Sequence, residues 1–229
     1  MTKVIFFDAG PIISLVMSRL IFILPELKKH YGGKFYITPA VKKELVGRPL
    51  TIKRFRFEAL QVMRLIREGV LEVYDHVPQD KTKMLIDLAN NSFKINSKPL
   101  EVMQSGEMES VACALQEDAA TVVMDERTLR LFIENNKEMR HLLEIRFKKK
   151  VEIDKAKVEE FSNLLQKINI IRSIELTGVA YKLGLLDPYL PKIKGGKETL
   201  LDAILWTVKF NGCAVTEHEI EEIKTYLLK

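Results

Sequence analysis

Cysteine is scarce. Cys113 and Cys213 are the only two, and neither belongs to a CxxC pair. No disulfide framework can be built from them, and they read as small buried apolar residues of a reducing compartment. Histidine is scarce as well, with four well-scattered residues, so no Cys/His zinc set can be assembled. His218-Glu219 lacks the second histidine of a zinc-protease motif. A long apolar run is also missing. Ile12 to Leu24 is apolar, but Arg19 interrupts it and it is too short to cross a bilayer. Asp8 falls inside the stretch that a secretory signal would need to keep apolar, so no such signal is expected. Gly195-Gly196-Lys197 with Thr199 lacks the spacing of a GxxxxGKS/T phosphate loop. No repeat and no low-complexity linker divides the chain. These absences exclude thiol, zinc and membrane-spanning classes, and they point to the cytoplasm.

What is present is a 229-residue chain that is 47% hydrophobic, enough for a sizeable core in one large domain or in a domain with an elaborate C-terminal part. Net charge is +5. That permits an acidic partner such as nucleic acid, and it equally describes a soluble surface rich in Lys.

The pattern predicts a strand over 3–8 and helical segments from 11 to about 31, broken near Pro25. A second strand follows at 34–37. Thr38-Pro39 is a capping residue followed by Pro at the first helical position, opening a helix over 39–46 that Gly47 ends. An amphipathic helix is expected over 55–68, closed by Gly69, then a strand from Val70 to Tyr74 and a helix over 80–92. Ser105-Gly106 opens a helix to about 117. Ala120 to Met124 is β-rich, and a helix starts near Arg127. Residues 1–135 therefore alternate strand and helix, the pattern of a Rossmann-like α/β fold, an open parallel sheet flanked by helices. Residues 136–229 read as a mainly helical C-terminal part packed on that sheet, with a short strand at 168–171. Thr216-Glu217-His218-Glu219 matches a capping box before the last helix.

Acids recur at related places in this architecture. Asp8 ends the apolar run Val4-Ile5-Phe6-Phe7, just before Ala9-Gly10-Pro11. It is either a helix cap or a carboxylate at the mouth of a strand, where α/β sheets bind ligands. Glu44 lies on the helix after Pro39, and Glu107 in the first turn of the helix that Gly106 begins. Asp125, with Glu126 beside it, ends the strand that closes at Met124. Each acid alone reads as a cap or a solvated helix residue. Together they form a set that like-charge repulsion would destabilise unless a cation joined it. An all-oxygen set suits Mg²⁺ or Mn²⁺. A haloacid-dehalogenase-type phosphatase also has Asp after its first strand, but it needs a second Asp two positions on, where Gly10 stands.

In order along the chain, four segments resemble the motifs of the PIN-domain family. They are Phe7-Asp8-Ala9-Gly10-Pro11-Ile12-Ile13-Ser14-Leu15, Thr38-Pro39-Ala40-Val41-Lys42-Lys43-Glu44-Leu45, Gly106-Glu107-Met108-Glu109-Ser110-Val111-Ala112 and Val122-Val123-Met124-Asp125-Glu126-Arg127. The resemblance covers residues 3–135. The last third is similar, less specifically, to helical extensions of prokaryotic and especially archaeal members. The resemblance implies a metal-dependent ribonuclease that uses Mg or Mn. It places Asp8, Glu44, Glu107 and Asp125 as metal-holding catalytic acids, with Glu126 and Glu109 in reserve. Met124 stands where the family often has Thr or Ser. Neighbours on a strand point to opposite faces, so one of Asp125 and Glu126 faces the site, and Asp125 is favoured. The resemblance also suggests a homodimer.

RNA contacts are expected from Lys42, Lys43, Arg54 and Arg56, with Phe55 and Phe57 alternating among them in a pattern suited to base stacking. Arg172-Ser173, just after the expected strand, is placed to touch phosphate, and Ser173 otherwise reads as a cap of the following helix. Three roles stay open: an RNA-processing nuclease, a toxin restrained by an antitoxin partner, and a catalytically silent RNA-binding or protein-interaction module.

Overall fold

The computed structural model describes residues 3–118 and 121–229. In chain order the elements are β1 (Val4–Phe7), α1 (Ala9–Met17), α2 (Ile23–Tyr31), β2 (Lys34–Ile37), α3 (Pro39–Lys42), α4 (Arg56–Arg67), β3 (Glu72–Val73), α5 (Gln79–Asn91), β4 (Phe93–Ile95), β5 (Lys98–Pro99) and α6 (Ser105–Gln116). They continue with β6 (Thr121–Val123), α7 (Arg127–Glu134), α8 (Asn136–Phe147), β7 (Glu152–Ile153), α9 (Lys155–Leu165), β8 (Asn169–Ile171), α10 (Ser173–Lys182), α11 (Gly196–Phe210) and α12 (Glu217–Leu227). The fold is α/β. Five parallel strands lie in the order β3-β2-β1-β6-β8. Ala120, expected to begin the fourth of these, lies outside the described residues.

Strand alternation divides the core. Ile5 and Phe7 face one side of β1 with Phe35, Ile37 and Val123. Phe6 faces the other side with Val122 and Met124. Phe6 and Phe7 are both fully buried, each worth about 1.5–3 kcal/mol of transfer free energy. A strand buried on both faces reads as continuous apolar sequence, which is why Val4-Ile5-Phe6-Phe7 does not alternate. The first face is covered by α1, α2 and α4 together with α10, α11 and α12, since Ile174, Leu205 and Leu227 share a core with Ile12 and Leu15. Helices α5 to α9 cover the second face. The C-terminal helices are thus packed on the sheet, and β8 extends it at one edge. Among the described residues no helix is long and apolar enough to cross a membrane.

Several expectations shift. The break between the first two helices falls at 18–22, where Arg19 takes a left-handed φ of 59°. It does not fall at Pro25, because Pro25 occupies the first turn of α2, where a missing N–H costs nothing. The helix expected over 39–46 is α3 followed by a π-helical turn at Lys43–Gly47. A three-stranded antiparallel sheet, β5-β4-β7, was not anticipated. Its hairpin turns at Asn96 and Ser97, with φ of 50° and 64°, where an Asn-Gly pair would have announced it.

Candidate active site

Register brings the two strand-ending aspartates together. Phe7 pairs with Val123, and the Asp8 N–H then donates to the Val123 carbonyl at 2.9 Å. Asp8 caps α1, with its Oδ2 accepting from the Gly10 N–H at 3.2 Å. A Cβ on Gly10 would stand 3.4 Å from Asp8 Oδ2 and 3.5 Å from Asp125 Cβ. Both are ordinary van der Waals separations, so Gly10 marks how near the two acids lie to the start of α1.

Asp125 is 4% exposed, and both oxygens of its carboxylate accept hydrogen bonds. Oδ2 accepts from Ser14 Oγ at 2.6 Å and from Ser173 Oγ at 2.8 Å, and Oδ1 accepts from the Ser173 N–H at 2.7 Å. One side chain thereby ties α1 to the start of α10. Its backbone oxygen also accepts from the Ala214 N–H at 3.4 Å.

The glutamates come from the neighbouring helices. Glu44 is exposed on the π-helical turn, a distortion often found at functional sites. Its Oε2 lies 3.9 Å from where a Cβ on Gly106 would stand, so it reaches the start of α6. Glu107 occupies the third position of α6 and accepts from the Gln104 N–H at 3.0 Å. Glu109 turns away and accepts from the Ala40 N–H at 3.4 Å, bracing α3 against α6. Glu126 is exposed and caps α7 by accepting from the Thr128 N–H and hydroxyl.

Electrostatics follow from this gathering. Burial pushes the Asp8 carboxyl up to about 6 from its ordinary 3.8. Glu44 and Asp125 add to the rise, and the Ala9 and Gly10 N–H groups oppose it. Burial pushes Glu107 up to about 7, helped by Asp8, Glu126 and Glu44 and opposed by the Gln104 N–H. Among the described residues no Lys or Arg forms an ion pair with Asp8, Glu44, Glu107 or Asp125. The side chains do not form a closed cage: no group of three His, Cys, Asp or Glu among the described residues could hold a metal ion as they lie.

In EDTA this predicts a pH dependence of stability. The folded chain binds protons at Asp8 and Glu107 more tightly than the unfolded chain, because both pKa values are raised on folding. Stability from these groups is therefore full below about pH 4, falls as pH rises to about 7, and is level beyond. For Asp8 alone the loss is about 3 kcal/mol. Glu219, held down to about 2, acts only on the acid side of this window. Urea unfolding at steps across the window checks it, and a flat or rising profile contradicts it.

The expected RNA contacts fare unevenly. Lys42, Lys43, Arg54 and Arg56 are exposed. The Arg54 guanidinium sits 5.4 Å from the Phe55 ring centroid, and Arg56 Nε donates to the Leu50 carbonyl at 2.9 Å. Ser173 is corrected: it is fully buried and spends its N–H and hydroxyl on Asp125, so it cannot meet a phosphate. Arg172, expected beside Ser173 as a phosphate contact, is instead buried and bound to Glu175, Glu219 and the Ala214 carbonyl. One feature escaped the sequence reading: Ser14, the partner of an aspartate 111 residues away.

Comparison with family models, with curated proteins and with solved structures finds no significant match.

Proposed function

We propose that this chain is a Mg²⁺- or Mn²⁺-dependent ribonuclease of the PIN-domain type, acting in the cytoplasm. The supporting observation is one site. Asp8, Glu44, Glu107 and Asp125 come from separate segments to one edge of a parallel sheet, and no cation neutralises them among the described residues. Such a set fits a hard divalent cation by its donor chemistry, all carboxylate oxygen with like charges to be relieved. Asp8, Glu44 and Glu107 would hold the ion. Asp125, with both oxygens already accepting hydrogen bonds, would position α1 beneath it. When bound, the cation supplies positive charge at a phosphoryl oxygen and makes a water more acidic.

The chain's own residues do the rest. The Asp8 carboxylate is fixed by the Gly10 N–H and is aimed without reorganisation. The raised Asp8 and Glu107 carboxyls belong to the metal-free chain, so uptake of the ion would release protons near neutral pH. Exposed Lys42 and Lys43 immediately precede Glu44 in sequence and can follow an RNA backbone. Both buried thiols are free, which suits a reducing compartment.

Incubation of labelled single-stranded RNA with Mn²⁺, Mg²⁺ or EDTA is the test. Cleavage with either metal and none in EDTA is expected. A second reading, a silent RNA-binding module, draws on the absence of a closed cage among the described side chains. Salt-sensitive RNA retention without cleavage in any metal would establish that reading instead. A toxin role would add a partner protein that suppresses the cleavage.

A further inference from the structure

An apolar groove of about 490 Å³ opens beside the acid cluster, between α1, the π-helical turn, α4 and the end of α11. Its walls include Met17, Leu45, Phe55 and Phe210, and two carboxylates face it, Glu44 and Glu58. Glu44 therefore belongs both to the groove and to the acid cluster. Glu58 carries the more telling atom. Among the described residues its Oε2 is the one buried side-chain polar atom with no hydrogen-bond partner. Such an atom is costly to leave unpaired, and native structures seldom keep one without a reason. It asks for a donor that arrives with an apolar body.

We propose that this groove is a pocket for a guanine base of single-stranded RNA, selected by Glu58. The inference rests on the ribonuclease reading and names its substrate preference. Guanine alone among the RNA bases offers two adjacent donors, N1–H and the N2 amino group, and these match the two oxygens of a carboxylate. Adenine and cytosine set a ring acceptor beside their amino group, and uracil flanks its N3–H with two carbonyls. Each of those would push an acceptor against Glu58. Glu58 is only partly buried as a residue, so a turn about its side-chain bonds presents Oε2 to the base. Phe55 and Phe210 supply apolar rings for stacking. Phe210 is 76% exposed, a large apolar surface otherwise left to water. Arg54 over the Phe55 ring and exposed Lys42 and Lys43 offer charge to the attached phosphates. A base seated here lays its phosphodiester beside Glu44.

Binding is measured on the full chain in EDTA with 5′-GMP, AMP, CMP and UMP, and with short single-stranded RNAs with and without guanine. Calorimetry gives the affinity. Trp206, the chain's only tryptophan, stacks 5.4 Å from Phe210 and gives a fluorescence signal. GMP is expected to bind at least about 10-fold tighter than the other three nucleotides, and guanine-bearing RNA tighter than GMP. Glu58→Gln removes about 10- to 100-fold of the guanine preference, with circular dichroism as the check on its fold. Phe210→Ala, at an exposed position that leaves the fold intact, weakens all four nucleotides alike. Equal binding of the four, or a preference that survives Glu58→Gln, overturns the pocket. So does an arginine-bearing amphipathic peptide that fills the groove when no nucleotide does. GMP binding tighter than guanine-bearing RNA overturns the RNA assignment. The two readings fail separately. Metal-dependent cleavage with no base preference sinks the pocket and spares the nuclease. Guanine-selective binding with no cleavage of any RNA upholds the pocket and sinks the nuclease.

Discussion

Asp8→Asn is expected to lower metal-dependent RNA cleavage by at least about 10²-fold while leaving the metal-free protein as stable as the parent or more so. The two effects share one cause. Asp8 is 8% exposed, and its charge is opposed by burial and by Glu44 and Asp125. An asparagine keeps the acceptor that caps α1 at Gly10 and removes the charge. At neutral pH the relief amounts to as much as about 3 kcal/mol, or several degrees in melting temperature for a chain of this size. With Mn²⁺ the order reverses, because the parent gains stability from the ion by linkage and the variant loses most of that gain. Thermal melts in EDTA and in Mn²⁺, set beside cleavage rates, check both halves. Parent-like cleavage would remove Asp8 from the chemistry. A variant that melts well below the parent in EDTA would mean that the Asp8 charge supports the fold.

This trade of stability for function also explains which parts of the site were legible in the chain. A run such as Val4-Ile5-Phe6-Phe7 is buried on both faces, and an acid at its end stands out against it. The same holds for Val122-Val123-Met124 before Asp125. Local chemistry was legible too. Thr38 caps α3 by accepting from the Val41 N–H, and Thr216 with Glu219 closes the expected capping box. What stayed hidden was made by contacts distant in sequence. Ser14 and Ser173 meet at Asp125 only after β1, β6 and β8 align. Strand β7 pairs with β4 about 60 residues before it, and two residues carry no period that could reveal it. Pro25 misled because its place in the first turn of α2 depends on where that helix begins. The groove under Glu44 is assembled from α1, α4 and α11, and no local pattern joins them.

Asp125→Ala is expected to cost about 4–6 kcal/mol of folding stability, a fall of roughly 10–20 °C in melting temperature. The carboxylate accepts three hydrogen bonds, and its removal strands the Ser14 hydroxyl and the Ser173 N–H in a buried place. The loss loosens α1 from α10. Because Asp8 caps the start of α1, the cluster loses its alignment as well. Asp125→Asn separates position from charge. Its carbonyl oxygen can still accept from the Ser173 N–H, and the two serine hydroxyls can rotate to accept from the amide. The expected cost is about 1–2 kcal/mol, with cleavage reduced by about 10- to 100-fold, less than for Asp8→Asn. Unfolding of Asp125→Asn, Ser14→Ala and the double variant measures the coupling. A coupling above about 0.5 kcal/mol marks Asp125 as a positioning residue that acts through Ser14. Additive losses, with cleavage as low as in Asp8→Asn, would instead make the Asp125 carboxylate a direct participant, one that exchanges its hydrogen bonds for the ion during the reaction.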